Sequence, residues 1–322
     1  MNIDTVITAG DGRAAKKIFR KNKSLLEIGG KPILRHIVEA LQASDRIGRI
    51  VVVGPQADFK DAIGDLDVII VPQKRSLTEN GWEGFLHTLP EYHASGKFTP
   101  DLMDKYRDKY VLALSGDIPL LGPGEINEFI SRCDMDKYDY IAGVTSEGIL
   151  DLFGPRKGRP GIKMATFRTR DGNFRQNNLH MGRPFSFIHG LDLILKVYEY
   201  RYQKEPLNIV KAFIEILRLG PGRIGHTLSL YLLMQISSGF YAIGMEKIAR
   251  AACYPVTRQR LERQVSALMK ARCRIVETTI GGAALDVDNE KDFLTLSVMF
   301  TEWVQQIERS PVRLGEIPDE FA

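Results

Sequence analysis

The chain has few cysteines, no two of them close together, and no real surplus of charge of either sign. Cys133, Cys253 and Cys273 are its three thiols in 322 residues. An odd number at wide spacing excludes a disulfide framework and a CxxC zinc site, and suits a reducing compartment. Forty-four Lys and Arg face 40 Asp and Glu, a net charge of +4. So small an excess is too weak to argue for nucleic-acid binding, which needs a strongly basic face. No basic segment followed by an apolar run opens the chain, so no secretory signal is expected and a cytoplasmic protein is. Two phosphate-binding signatures are missing from the loop after the first strand as well. It carries neither GxxxxGK[ST] nor GxGxxG, which disfavours a Walker-type NTPase and a dinucleotide-binding site. With 44% hydrophobic and 26% charged residues, the composition is that of a globular protein with a sizeable core.

Charge vanishes in one place, between Arg223 and Glu246. That gap is long enough for a bilayer. His226, Ser229, Gln235, Ser237, Ser238 and Gly239 interrupt it, so a buried helix is expected rather than a membrane span. An apolar pocket for a greasy substrate is the minority expectation.

What is there is mostly alternation. Thr5–Ala9, Ile50–Gly54, Val68–Val71, Tyr110–Leu114 and Tyr140–Val144 are short apolar runs of the kind found in strands buried on both faces. Ile33, Leu34, Ile37, Val38 and Leu41 have helical spacing, and 81–95 and Ile126–Ile130 also look helical. Alternating strands and helices imply βαβ units and a parallel sheet with helices on both faces. The second half differs. Short strands are expected at Lys163–Arg168 and Asn178–Met181 around the turn Asp171-Gly172. Helices are expected over about Phe185–Leu219, Thr227–Ala252 and 256–272, with Gly220-Pro221-Gly222 between the first two. A strand at Arg274–Thr278 and a helix from about Glu290 close the pattern, and the tail after Ser310 is polar and loose. The chain divides accordingly into an α/β core at 1–150, a region with a helical insertion at 151–273, and a segment at 274–310 that returns to the core, with 311–322 as tail.

Three motifs carry chemistry. A strand runs into Thr8-Ala9-Gly10-Asp11-Gly12-Arg13, followed by Lys16, Lys17, Arg20, Lys21 and Lys23. Small residues let the backbone approach a polyphosphate, and the cations neutralise it. A solvated basic loop is the bland alternative. Ser115-Gly116-Asp117-Ile118-Pro119 ends another apolar strand in a carboxylate. That is the edge where open α/β sheets bind ligands, and one carboxylate there suits Mg²⁺ on substrate phosphates, or else a helix N-cap. In Asp286-Val287-Asp288-Asn289, residues 286 and 288 share a face if the segment is extended. They are candidate oxygen ligands, or caps of the helix that follows.

The order of these motifs resembles the MobA-like nucleotidyltransferases, a family that includes molybdenum-cofactor guanylyltransferase and, more distantly, the sugar-1-phosphate nucleotidyltransferases. The resemblance rests on Thr8-Ala9-Gly10, on Lys23-Ser24-Leu25-Leu26-Glu27-Ile28-Gly29-Gly30-Lys31-Pro32, on Gly116-Asp117-Ile118-Pro119-Leu120-Leu121 and on Asp286 to Asp292. It covers residues 1–145 and, locally, 274–295. It implies a nucleotide-diphospho-sugar-transferase fold: a glycosyltransferase-A type, Rossmann-like α/β mixed sheet with helices on both faces and a helical insertion. It implies transfer of a nucleoside monophosphate from an NTP to a phosphorylated sugar, alcohol or cofactor, with release of pyrophosphate and with Mg²⁺ as cofactor. The partners are then a nucleoside triphosphate and a small-molecule acceptor, with no nucleic acid. By position, the resemblance implies that Ala9, Gly10 and Gly12 line the base and triphosphate, with Asn80-Gly81 as a further nucleotide-binding loop. Lys23 and Arg13 would be catalytic, Asp117 and Asp288 would hold the metal with Asp286 in reserve, and Asn177 and Asn178 would meet the acceptor. Asp11 departs from the family, which usually has a glycine there. A metal-dependent glycosyltransferase and a non-catalytic nucleotide-binding protein of the same fold remain as alternatives. The acceptor phosphate is already ionised at neutral pH, so no histidine is assigned to catalysis, and His36 is expected to pack.

Overall fold

The computed structural model describes residues 2–11, 17–187 and 221–310, with the side chains of 221–228 and 242 excepted. The core is an eight-stranded mixed sheet. Its strands are β1 (Ile3–Thr8), β4 (Ile47–Gly54), β5 (Ile69–Pro72), β6 (Val111–Ser115), β7 (Tyr140–Ser146), β8 (Phe167–Thr169), β9 (Gly172–Gly182) and β10 (Cys273–Thr278). The numbers β2 and β3 belong to a separate two-residue ribbon, Glu27–Ile28 against Lys31–Pro32. The order is β10-β7-β9-β6-β1-β4-β5, with β8 on β9. The pairings β5–β4–β1–β6 and β7–β10 are parallel. β9 runs antiparallel to β6, β7 and β8.

The parallel half follows directly from the residues. Val51, Val52, Val53, Leu112 and Leu114 are buried, as strands covered on both faces require. Helix α1 (Ile33–Gln42) buries Ile33, Leu34, Ile37, Val38 and Leu41, the stripe its spacing predicts. Helix α2 (Gln56–Ile63) buries only Phe59 and Ile63. That single i,i+4 pair is too thin a signal to stand out in sequence.

The helix expected over 81–95 is two helices. α3 (Leu77–His87) starts four residues earlier, on a capping box between Ser76 and Glu79. It stops at Thr88, and α4 (Pro90–Ser95) restarts with Pro90 in its first turn. Proline lacks the N–H needed to continue a helix but is suited to begin one. Short helix α5 (Pro100–Lys105) and helix α6 (Pro123–Arg132) also begin on proline.

The second half departs further from expectation. The two short strands around Asp171-Gly172 are β8 and the eleven-residue β9, which enters the middle of the sheet between β6 and β7. The expected helix over Phe185–Leu219 lies almost wholly outside the described residues. Thr227–Ala252 is two helices, Pro221–Ala242 and Glu246–Cys253, parted where Gly244 takes φ +79°. Among the described residues no helix is long and apolar enough to cross a membrane. In the first of the pair Leu230 and Ser237 are buried, Leu233 is half-buried, and Leu232 and Ile236 are exposed. The basic helix of 256–272 is Arg258–Met269, and the last is Glu290–Arg309, capped by the Asn289 side chain on the Asp292 N–H.

α3 lies on β1 and β4 through Gly84. A Cβ there would sit 2.4 Å from Val6 Cγ1 and 2.9 Å from Val53 Cγ2. Gly84→Ala gains about 1 kcal/mol of helix propensity. Overpacking of a filled core costs about 1–3 kcal/mol and should prevail. Urea unfolding is expected to show Gly84→Ala less stable than wild type by up to about 2 kcal/mol, and a gain in stability would show that the interface relaxes.

Candidate functional site

The described residues of the three motifs lie at one edge of the sheet, beyond the C-terminal ends of β1, β6 and β10, where open α/β sheets leave a crevice. Backbone bonds join these strand ends. Ala9 N–H donates to Val53 O (2.9 Å) and Gly116 N–H to Thr8 O (3.1 Å). Val287 N–H donates to Asp117 O (3.0 Å), which draws the two acidic motifs together across 170 positions of chain.

Close approach explains the small residues. A Cβ on Gly116 would lie 2.5 Å from Ala9 Cβ and 2.7 Å from the buried Ser24 Oγ. A Cβ on Gly10 would lie 2.8 Å from Asn80 Nδ2 and 3.0 Å from Gln73 Oε1. Gly10 therefore adjoins Asn80, whose buried side chain accepts from Lys74 N–H at 2.6 Å. The space around Gly81 is open. Gly12 and Arg13 lie outside the described residues.

Asp11, the departure from the family, is neutralised locally. Its N–H donates to Gln73 Oε1 (2.7 Å), Gln73 Nε2 donates back to its carboxylate (2.6 Å), and Lys17 Nζ stands 3.4 Å away. The Gln73 hydrogen bond leads in holding this carboxyl below its ordinary value.

Lys23 opens a 3₁₀ turn, Lys23–Leu25, capped by Asn22. The Asn22 side chain accepts from Ser24 N–H at 2.9 Å and donates to Ala9 O at 2.8 Å. One amide thus joins the two ends of the phosphate-loop candidate and orients Lys23. The Lys23 ammonium lies 3.2 Å from Asp117 Oδ2 and 3.5 Å from Asp288 Oδ1, with its side chain 17% exposed. Burial works to lower its pKa, but Asp117, Asp288 and Asp286 prevail and the pKa rises. Burial pushes the Asp117 carboxyl up, against the pull of Lys23 and with Asp286 repelling it. Ser115 Oγ donates to the same carboxylate.

The three acidic candidates are not equivalent. Arg175 donates to Asp286 Oδ1 at 2.6 Å and stands 3.9 Å from Asp288 Oδ2. Asp286 is occupied by that guanidinium, whereas Asp288 is 55% exposed. Among the described residues no three His, Cys, Asp or Glu side chains gather into a metal cluster of their own. Two carboxylates converging on one ammonium are a donor set that suits Mg²⁺, which takes few protein ligands and completes its shell with water and phosphate oxygens.

The acceptor-side asparagines have internal partners. Asn177 is 2% exposed, and its amide donates to Thr278 Oγ1 (3.0 Å) and Thr145 Oγ1 (3.3 Å) while its carbonyl accepts from Leu179 N–H (3.1 Å). It braces the irregular pairing of β7 with β9 and presents no face to an acceptor. Asn178, half-buried, donates to Ala283 O at 3.0 Å. Arg175 is the residue that sequence reasoning passed over. As the one cation in the strand-like run Asn173–Met181 apart from His180, it carried a signal that hydrogen-bonding type alone did not weigh. His36 packs as expected, its Nε2 2.7 Å from Ile28 O and its ring against Phe300.

The model of the MobA-like NTP transferase domain family matches residues 5–227 of the chain. A comparison with curated proteins found no match. Among solved structures, a hypothetical transferase from Thermus thermophilus is similar at 19% identity and a TM-score of 0.60, over 91% of this chain and 99% of that one. That likeness shows the fold. A CMP:2-keto-3-deoxy-manno-octonic acid synthetase complexed with CTP shares 12% identity over 94% of this chain and 99% of its own, at a TM-score of 0.45. A 4-diphosphocytidyl-2C-methyl-D-erythritol synthase from Anaerococcus prevotii shares 11% over 93% and 98%, also at 0.45.

Removing the Asn22 amide should loosen this edge of the sheet. Asn22→Ala deletes an N-cap, at about 1 kcal/mol, and leaves Ala9 O without its donor. A total loss of about 1–2 kcal/mol is expected in chemical denaturation, and a loss below a few tenths would mean that the loop is held elsewhere.

Proposed function

The chain belongs to the MobA-like NTP transferase family and is a nucleotidyltransferase, and on that premise we propose that it moves a nucleoside monophosphate from an NTP to a phosphorylated small-molecule acceptor, with Mg²⁺ as cofactor. The observation that carries this is the convergence of Lys23 with Asp117 and Asp288 beside the Ala9-Gly10 loop. In the reaction an acceptor phosphate oxygen attacks the α-phosphorus. The bond from that phosphorus to the oxygen bridging to the β-phosphate breaks, and pyrophosphate leaves with the electron pair. The nucleophile is already an anion, so the protein needs no general base. Its work is positioning and charge neutralisation.

Ala9, Gly10, Asn80 and Gly81 line the nucleotide, with Gly12 joining them, and residues 1–150 form the nucleotide-binding part. Region 151–273 faces the acceptor, and 274–310 returns the second acidic segment. Asp117 and Asp288 would hold Mg²⁺, which when bound offsets phosphate charge. Asp286 serves instead to fix Arg175. Lys23 stabilises charge growing on the α-phosphate, and Arg13 adds a cation toward the β- and γ-phosphates. Arg175 and Asn178 lie on the acceptor side, where an anionic acceptor finds a guanidinium. Leu232 and Ile236 are exposed on the helix Pro221–Ala242, apolar surface that an acceptor with an apolar part could use.

Thermal shift against the four ribonucleoside triphosphates, with and without Mg²⁺, tests the donor on wild type and Lys23→Ala. A ligand that binds only the native state adds about 2.7 kcal/mol at a hundredfold excess over its Kd. One triphosphate is expected to stabilise wild type, to need Mg²⁺, and to lose its effect in Lys23→Ala. Pyrophosphate release in the presence of phosphorylated acceptors then completes the case. A response to nucleotide sugars and to no triphosphate would overturn it in favour of glycosyl transfer.

A further inference from the structure

The segment between β10 and the last helix, Thr279–Asn289, contains one 3₁₀ turn, Gly282–Ala284, yet it must present Asp286 and Asp288 to Asp117. Three of its backbone donors, at Thr279, Gly281 and Ala283, go to α6, the helix that follows the Asp117 motif. The Glu125 side chain is fully buried. Its Oε1 accepts from Thr278 Oγ1 (2.9 Å) and Gly281 N–H (3.2 Å), and its Oε2 from Ala283 N–H (2.9 Å). One turn later, Glu128, 1% exposed, accepts from Thr279 N–H (3.0 and 3.1 Å) and Thr279 Oγ1 (2.8 Å), and pairs with Arg132 at 2.8 Å. The turn fits tightly against Leu120, just before the same helix. A Cβ on Gly282 would lie 2.1 Å from Leu120 O, and Gly281 takes φ +94°, where a side chain is strained.

We propose that Glu125 is a positioning residue for the metal site, whose buried carboxylate holds the Gly281–Ala283 backbone and thereby sets where Asp288 stands relative to Asp117. The inference rests on the reading of Asp117 and Asp288 as metal ligands. Three donors converge on this side chain, and only a carboxylate accepts at both oxygens. A glutamine would turn an NH₂ toward one of those N–H groups and leave two buried donors facing each other. The link onward is short. Ala284 O accepts from Arg175, Arg175 holds Asp286, and Val287 N–H is bonded to Asp117 O. A shift of the turn therefore reaches both aspartates within a few residues.

The test uses Mn²⁺, whose free ion gives an EPR signal, titrated against the full-length protein at pH 8. There the Glu125 carboxyl, pushed up to about 7 by burial, is ionised. Wild type, Asp288→Asn, Glu125→Gln and the remote packing variant Gly84→Ala are compared. Asp288→Asn and Glu125→Gln are each expected to weaken Mn²⁺ at least about tenfold, and Gly84→Ala to keep it within about twofold although less stable. Triphosphate affinity in EDTA should be unchanged in Glu125→Gln, because the Gly10 and Asn80 side of the site makes no contact through it. Folded Glu125→Gln with wild-type Mn²⁺ affinity, beside a weakened Asp288→Asn, would overturn the inference and leave the metal ligands standing. Undiminished binding in Asp288→Asn would overturn both, as would an equal loss in Gly84→Ala for the positioning role. If Glu125→Gln does not fold, Glu128→Gln carries the test by the same criterion, since it releases Thr279 from the same helix.

Discussion

A single ammonium lies where three distant stretches of this chain meet. Lys23 comes from the loop after β1, Asp117 from the end of β6, and Asp288 from the approach to the last helix. Brought together without a cation, those carboxylates would repel, and Asp117 would be left in surroundings that already disfavour its charge. The glycines at 10, 116 and 282, the Asn22 amide and the Asp117–Val287 backbone bond serve one requirement, that a positive group sit within reach of acidic ones at the edge of a parallel sheet. Arg175 extends the same logic by balancing Asp286.

Legibility in the sequence followed the physical range of each signal. β1, β4, β6 and β7 were plain because a strand buried on both faces needs a continuous apolar run. α1 was plain because five of its residues repeat at helical spacing. α2 was not, with two buried positions in eight, and the break between α3 and α4 required Pro90 to be weighed above the surrounding pattern. The motif order around Lys23, Asp117 and Asp288 pointed to one edge of the sheet, and the structure brings these three side chains together.

What stayed hidden was non-local. No local pattern announces that β9 would run antiparallel in the middle of a sheet whose other neighbours are parallel. The same strand explains the asparagines. Amide side chains in Asn177-Asn178 look available to a ligand, yet the irregular register against β7 turns Asn177 into the interior, where Thr145 and Thr278 receive it. Arg175, two positions earlier, remains at the crevice because its partners are Asp286 and the Ala284 carbonyl. Which of three polar neighbours stays at the crevice was decided by pairing across the sheet and by a turn more than a hundred residues away.

The position of β10 has a consequence for how the protein comes into being. It is an edge strand, added in parallel to β7 from a point some 130 residues further along the chain. During synthesis, β1, β4, β5 and β6 can assemble a crevice with Lys23 and Asp117 long before residue 273 leaves the ribosome. A parallel edge strand with so long a connection pairs late, because its loop must close before any contact rewards it. The acidic segment that completes the crevice is carried in behind that strand. A nascent chain that has not reached β10 therefore carries Lys23 and Asp117 but not the segment with Asp286 and Asp288.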